Sequence, residues 1–151
     1  MNRKKKLLAV SSGGGHWVQL LRLRPAFEGC DVTYATVRPG YQRDVENASF
    51  VLISDCNRAH KLRVVWAACS MFLLLLKVRP DVVVSTGAAP GYLAVRMARW
   101  FGAKTIWVDS IANVEELSMS GKMAGSFVTV WLTQWPHLQT PEGPACYGGV
   151  L

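Results

Sequence analysis

A short apolar run that breaks into three consecutive glycines is the feature that most constrains how this chain can fold. Residues 7–10 are apolar throughout, which is typical of a strand buried on both faces of a parallel sheet. Gly13, Gly14 and Gly15 follow, and a helical pattern of apolar residues begins after His16. Because glycine has no Cβ atom, backbone N–H groups of this loop can approach a ligand closely, and the helix N-terminus can face an anion. The sequence therefore predicts a strand, a phosphate-sized loop and a helix.

The loop matches neither of the familiar nucleotide-binding motifs. A Walker loop requires a lysine that nothing near Gly13 supplies, and a dinucleotide fingerprint requires a third glycine where Val18 stands. No acidic residue follows the next predicted strand, where Thr36, Val37 and Arg38 stand instead. Nicotinamide binding is therefore disfavoured, and a tight turn without a ligand is the plain structural alternative.

The rest of the chain alternates strands and helices, which predicts an α/β fold with a doubly wound parallel sheet of the Rossmann-like type. Half of the 151 residues are hydrophobic, enough for a substantial core in one domain that spans residues 1–151. The six predicted strands cover residues 7–10, 31–37, 50–53, 82–85, 104–108 and 127–132. The predicted helices cover residues 16–24, 62–76, 92–101 and 115–122.

A second loop of small residues, 86–91, follows the fourth strand. In a doubly wound sheet the first and fourth strands are neighbours, and ligands bind outside their carboxyl ends. We therefore expect the two glycine-containing turns to converge on one binding site. Asp109 and Ser110 follow the fifth strand at the same edge, and Asp109 is a base, a hydrogen-bond acceptor for a sugar hydroxyl, or a helix cap.

The charge balance and the cysteines narrow the class of protein. A formal net charge of +7 favours an anionic partner, but the basic residues are too dispersed to favour nucleic acid. The basic start, residues 3–6, is either a membrane-surface contact or a solubilising end. No cysteine has a spacing typical of metal ligation, so we expect no metal and reduced, mostly buried thiols. The cysteines are Cys30, Cys56, Cys69 and Cys146.

The predicted helix 62–76 is apolar on nearly every face, because its only polar residues are Arg63 and Ser70. It is shorter than the roughly 20 apolar residues that a membrane span requires. Basic residues flank it, among them Arg58 and Lys77, as expected for a helix lying in a membrane interface. The alternatives are a partner contact and an ordinary core helix. The predicted membrane or partner contacts are Trp66, Met71, Phe72, Leu73, Leu75 and Leu76.

Short motifs in a fixed order give the chain a family resemblance over nearly its whole length. They are Ser11–His16, Arg79–Asp81, Ser85–Gly87, Pro90–Gly91, Ser110, Leu117–Ser118, Ser120–Lys122 and Gln134–Pro136. The chain resembles the membrane-anchoring subunit of the two-part UDP-N-acetylglucosamine transferase of eukaryotic N-glycan assembly. It is more similar still to the bacterial PssD-type subunits of exopolysaccharide and capsule biosynthesis.

The resemblance implies the N-terminal, acceptor-side half of a GT-B glycosyltransferase such as MurG. A separate PssE-like subunit would hold the UDP-sugar, and the acceptor would be a polyprenyl-diphosphate-linked saccharide at the cytoplasmic face of the inner membrane. Transfer would be inverting and would need no cofactor. His16 would be either the catalytic base or a phosphate contact. The implied acceptor and phosphate contacts are Ser12, Gly13, Gly14, Gly15, Thr86, Gly87, Pro90, Gly91, Asp109 and Ser110.

Two other functions remain open from the sequence. One is an anchoring module that only recruits a catalytic partner, and the other is a small nucleotide-sugar enzyme that acts without a second protein. The glycine loop itself departs from the MurG-like pattern, because Ser11 and Ser12 stand where MurG-like proteins have further glycines. The Ser12 hydroxyl is therefore a possible donor to a phosphate.

Overall fold

The computed structural model describes residues 3–55 and 61–149. The described chain contains six strands and four α-helices, and an α-helix lies between every two consecutive strands except β2 and β3, which a 3₁₀ segment joins. The strands are β1 Lys6–Val10, β2 Asp31–Thr36, β3 Ser49–Leu52, β4 Val82–Ser85, β5 Lys104–Val108 and β6 Val130–Leu132. The helices are α1 Gly15–Arg22, α2 Lys61–Val78, α3 Ala88–Ala98 and α4 Met119–Gly125, and short 3₁₀ segments include Pro39–Val45 and Arg99–Phe101.

All six strands are parallel and lie in the order β3-β2-β1-β4-β5-β6. The strand order reverses between β1 and β4, where Val10 pairs with Ser85. This is the doubly wound topology predicted from the alternation of strands and helices, and it makes β1 and β4 neighbours as expected. The turns that follow these two strands therefore leave the sheet side by side.

The side chains of β1 point alternately into two hydrophobic cores, one on each face of the sheet. Leu8 and Val10 pack in the core that also contains residues of α2, α3 and α4. Leu7 and Ala9 pack in the core formed with α1 and with the 3₁₀ segments. Helices on both faces explain why the central strands are apolar throughout rather than alternating.

Helix α2 has one buried face and one exposed face, although nearly all of its residues are apolar. The exposed residues include Trp66 at 68% and Leu73 at 64% of their full accessibility. By contrast, Met71 is 3% exposed and Leu75 is fully buried, so these two predicted membrane or partner contacts are wrong. Both side chains lie in the core between α2 and the sheet. Helical periodicity could not distinguish the two faces, because both are apolar.

The exposed apolar residues of α2 form a stripe that we call the outer face. Its members recur every three or four residues, as one side of a helix requires. No helix among the described residues combines the length and apolar character of a membrane span. The outer face consists of Leu62, Val65, Trp66, Cys69, Phe72, Leu73 and Leu76.

The last helix and strand differ from their predicted ranges. Helix α4 begins at Met119 because the Ser118 hydroxyl caps it, accepting the Gly121 N–H at 2.8 Å. Glu115 and Glu116 therefore lie in the preceding loop rather than in the first turn of the helix. Strand β6 begins three residues later than predicted, because the N–H groups of residues 127 and 128 bond to the end of α4.

The basic start of the chain is tied to the sheet through Asp81. The Lys6 N–H donates to this carboxylate at 2.8 Å and the Arg3 guanidinium pairs with it at 2.7 Å. The Lys6 hydrogen bond first, and the Arg3 charge second, hold the pKa of Asp81 below its usual range. The pairing is thus present above the usual carboxyl titration range and is lost as the pH falls through the lowered pKa.

The prediction of mostly buried thiols is wrong for the described cysteines. Cys69 is exposed on α2, and Cys30 and Cys146 are half-buried free thiols. Cys56 and the basic Arg58 lie outside the described residues.

The two faces of α2 predict opposite costs for two leucines two positions apart. Leu75→Ala leaves a cavity in the core and should lower the free energy of unfolding by about 2–5 kcal/mol. Leu73→Ala removes an exposed side chain and should change it by less than about 0.5 kcal/mol. Urea unfolding followed by circular dichroism measures both, and equal losses would contradict the assignment of the faces.

Candidate functional site

The two glycine turns meet at the carboxyl ends of β1 and β4, as predicted. Two hydrogen bonds join them directly. The Thr86 hydroxyl donates to the His16 carbonyl oxygen at 2.7 Å, and His16 Nδ1 lies 2.9 Å from the Thr86 carbonyl oxygen. Thr86 is fully buried, whereas the His16 side chain is half-buried. The first turn of α1 is therefore fastened to the loop after β4.

The first glycine turn lies beneath an arginine that the sequence prediction missed. A Cβ atom on Gly13 would lie 2.8 Å from Arg38 Nε, so the absent side chain makes room for the arginine. Arg38 is exposed and belongs to neither ion pair found in the described part of the chain. Its position after β2, where dinucleotide-binding folds carry an acidic residue, was the available signal.

The next two glycines have open space around them. A Cβ atom on Gly14 or Gly15 would contact nothing within 4 Å, and both residues are exposed. Gly14 has φ +66°, in the left-handed region that favours glycine, and its N–H donates to the Tyr41 hydroxyl at 3.0 Å. Ser12 contributes a carbonyl that accepts from the Thr36 hydroxyl at 3.0 Å. This turn is the accessible part of the predicted site.

The second turn serves mainly to receive His16. Gly87 has φ +135°, and a Cβ atom there would lie 2.6 Å from Nδ1 and Cε1 of the imidazole. Farther along, Pro90 and Gly91 are buried, which corrects their prediction as ligand contacts. A Cβ atom on Gly91 would meet the Ser85 hydroxyl at 1.9 Å, so this glycine lets α3 pack closely against β4.

The carboxylate of Asp109 is 1% exposed and organises the loop between β5 and α4. It accepts hydrogen bonds from the Ser110 N–H at 3.1 Å and from the Asn113 amide at 3.3 Å. The Ser118 N–H and hydroxyl donate to it at 2.8 and 2.6 Å. These four donors compensate the buried charge, so the carboxylate supports the loop, and the cap of α4 is the Ser118 hydroxyl rather than Asp109.

A buried amide network that the sequence prediction missed lies behind this loop. Gln19 of α1 is 4% exposed, and its Nε2 donates to the Ser110 hydroxyl at 3.2 Å. Gln134 Nε2 donates to Gln19 Oε1 and to the Asp109 carbonyl, both at 2.9 Å. Ser110 is thereby buried and bonded within the protein. Gln19 lies three residues after His16, and helical periodicity assigned it to the polar face of the predicted helix. That spacing was the only sequence signal for a role of Gln19 near the site.

The site thus combines an open glycine turn, a fixed imidazole and an arginine at one edge of the sheet. Backbone N–H groups and a guanidinium can bind phosphate oxygens, and a neutral imidazole can accept a proton. Within residues 3–55 and 61–149, no group of His, Cys, Asp or Glu side chains is positioned to hold a metal ion.

Fold and site together define a Rossmann-like α/β protein with paired glycine turns at the carboxyl edge of its sheet. Residues 53–151 match the sequence family described as "Oligosaccharide biosynthesis protein Alg14 like". The chain therefore belongs to the Alg14-like family.

Individual relatives agree with this assignment. A UDP-N-acetylglucosamine transferase subunit of Schizosaccharomyces pombe is 37% identical over 79 residues, which cover 48% of this chain and 37% of that protein. The corresponding subunit of Eremothecium gossypii is 27% identical over 179 residues, covering 97% of this chain and 80% of that protein.

The fold also matches that of Acinetobacter baumannii MurG with a TM-score of 0.73 at 16% identity. The match covers 93% of this chain but only 43% of the MurG chain. At this identity the likeness shows the shared fold. The chain thus spans less than half of MurG and of the S. pombe relative.

The contacts of Asp109 predict a structural effect. Asp109→Asn puts an amide donor where N–H and O–H groups already donate, so the free energy of unfolding should fall by roughly 1–3 kcal/mol. Asn113→Ala, which removes the longest of the four bonds, is the matched control and should cost less. Urea unfolding measures both variants. Unchanged stability in Asp109→Asn would contradict the role of the carboxylate as the organiser of this loop.

Proposed function

We propose that this chain is the acceptor-binding subunit of a two-part inverting glycosyltransferase whose second, PssE-like subunit binds the UDP-sugar. Membership of the Alg14-like family supports the role of a transferase subunit, because the named relatives are transferase subunits. The chain corresponds in this proposal to the N-terminal half of a GT-B enzyme. The convergence of the two glycine turns is the observation that carries the assignment of the acceptor site.

The ligand of the glycine turns is proposed to be the diphosphate of a polyprenyl-linked saccharide. The exposed Gly15 offers the backbone N–H that begins α1, and Arg38 lies directly over Gly13 with no acidic side chain paired to it among the described residues. A doubly charged phosphate group satisfies both kinds of donor. The net charge of +7 favours the approach of such an anion.

The outer face of α2 is proposed to contact the membrane that holds this lipid acceptor. Because all strands are parallel, α2 starts at the carboxyl edge of the sheet and runs back toward the amino edge. Its two most exposed apolar residues, Leu62 and Trp66, lie in the first two turns of the helix, toward the same edge as the glycine turns. Lys61 and Arg63 add positive charge there, which suits anionic headgroups.

This arrangement suits a peripheral protein at the cytoplasmic face of the inner membrane, where a lipid-linked saccharide for exopolysaccharide or capsule would be extended. His16 is proposed to act on the acceptor, either as base or as phosphate contact. The role of the subunit is then to present the acceptor, while its partner presents the activated sugar.

Reconstitution with the UDP-sugar-binding subunit tests the proposal, using a polyprenyl-diphosphate-linked saccharide as acceptor. Transfer of radiolabelled sugar should require both proteins. Arg38→Gln should raise the acceptor KM about tenfold or more, because one charge-assisted hydrogen bond to phosphate contributes roughly 1.5–3 kcal/mol. Arg38→Lys keeps the charge, so it should raise the acceptor KM by less.

Two outcomes would contradict this proposal. Turnover by this chain without the second protein would make it a self-sufficient enzyme. Full turnover after replacement of both His16 and Arg38, with the complex intact, would leave it an anchor that only recruits its partner. Gel filtration of the pair shows whether the complex survives each substitution.

Binding to lipid vesicles tests the outer face of α2. The double variant Trp66→Asp, Leu73→Asp should lower the partition onto anionic vesicles at least tenfold, because each buried apolar side chain contributes roughly 1.5–3 kcal/mol. Val18→Asp changes an exposed apolar residue of α1 and serves as the matched control. Unchanged flotation of the double variant, with circular dichroism as in the wild type, would reject the lipid contact.

A further inference from the structure

The hydrogen bonds of His16 determine which ring nitrogen is free. Nδ1 lies 2.9 Å from the carbonyl oxygen of Thr86, and a carbonyl oxygen can only accept a hydrogen bond. Nδ1 must therefore carry the proton. In the neutral imidazole the other nitrogen, Nε2, then has a lone pair and no proton.

The Thr86 hydroxyl fixes the alignment on which this bond depends. It donates to the His16 carbonyl oxygen at 2.7 Å, so one buried residue contacts both the backbone and the ring of the histidine. Gly87 leaves the space that the ring occupies, since any Cβ atom there would overlap the Nδ1–Cε1 edge of the ring. The ring is thus enclosed along the edge that carries the proton.

The charged and titratable groups near His16 come from two connections. Arg38 and Tyr41 follow β2 and lie against the glycines that precede the histidine. Asp44, on the same connection, accepts a hydrogen bond from an indole N–H. The Asp109 carboxylate accepts hydrogen bonds from donors of its own loop. Residues 86–88, which hold the ring, contain no titratable side chain. Among the described residues, no carboxylate bonds to the imidazole.

We propose that Thr86 is a positioning residue that holds His16 in the Nδ1–H tautomer, so that Nε2 accepts a proton from the acceptor hydroxyl. The inference rests on the proposed function and assigns His16 the role of base. The lone pair of the neutral ring can receive a hydroxyl proton, whereas donation to a phosphate oxygen would require the imidazolium.

The step balances with the reactants named above. As the hydroxyl oxygen bonds to the anomeric carbon of the donor sugar, the bond from that carbon to the UDP oxygen breaks. UDP leaves with the electron pair, and the hydroxyl proton moves to His16 Nε2. Thr86 touches none of the reacting atoms.

The tautomer is measured on the chain alone by nitrogen NMR of ¹⁵N-histidine-labelled protein. The wild type should show a protonated Nδ1 and an unprotonated Nε2 at high pH. Thr86→Val should weaken this preference, and Thr86→Ser, which keeps the hydroxyl, should retain it. A wild-type spectrum with the proton on Nε2 would overturn the proposal. This result does not depend on whether the Thr86→Val variant folds.

Activity of the reconstituted pair gives the second readout. Thr86→Val should lower kcat about tenfold with an acceptor KM within about twofold of the wild type, and Thr86→Ser should restore most of kcat. An unchanged kcat with a raised acceptor KM in Thr86→Val would make His16 a phosphate contact. Absence of transfer by the wild-type pair would count against the proposed function. The NMR measurement does not require transfer, so it tests the tautomer separately.

Discussion

The pair of hydrogen bonds between His16 and Thr86 is the interaction on which the site depends. It joins the turn after β1 to the turn after β4, and it exists because these two strands are neighbours where the strand order reverses. The glycines on either side have different roles. Gly87 gives the imidazole its space, and Gly14 adopts the left-handed backbone conformation that the exposed turn requires. One contact thus fixes both the shape of the edge and the orientation of its histidine.

Most of the fold could be predicted from the sequence, because short apolar strands and glycine-containing turns are local signals. The range of β5 is the predicted one, and the pairing of β1 with β4 follows from the doubly wound strand order. The start of α4 was missed because a cap, Ser118, outweighs the preference of glutamates for a first helical turn. The buried and exposed faces of α2 could not be predicted, because an apolar residue such as Leu75 does not indicate which side of the helix packs against the sheet.

The site was predictable only where a residue type has a local consequence. Glycines and the histidine of the first turn could be found in this way, whereas the contacts of Asp109 depend on residues up to nine positions away. Arg38 reaches the site from the connection after β2, and Gln19 of α1 contacts the loop after β5, so the roles of both residues depend on tertiary packing. Several predicted contacts proved to be internal supports, as for Gly91 against the Ser85 hydroxyl. Solvent accessibility distinguishes residues that support the fold from residues that can contact a ligand. It depends on tertiary packing, so the local sequence does not encode it.

The central claim is that the edge formed by the two glycine turns binds the diphosphate of a lipid carrier, while the sugar nucleotide belongs to another subunit. Amide chemical-shift mapping tests it most directly, by titrating the chain alone with a water-soluble short-chain prenyl diphosphate and, separately, with UDP. The account predicts that the prenyl diphosphate perturbs the amides of residues 13–16 and 86–88, and that UDP at the same concentration leaves them unchanged. Saturable binding of UDP at this edge, or perturbations from the prenyl diphosphate only at other surfaces, would contradict it.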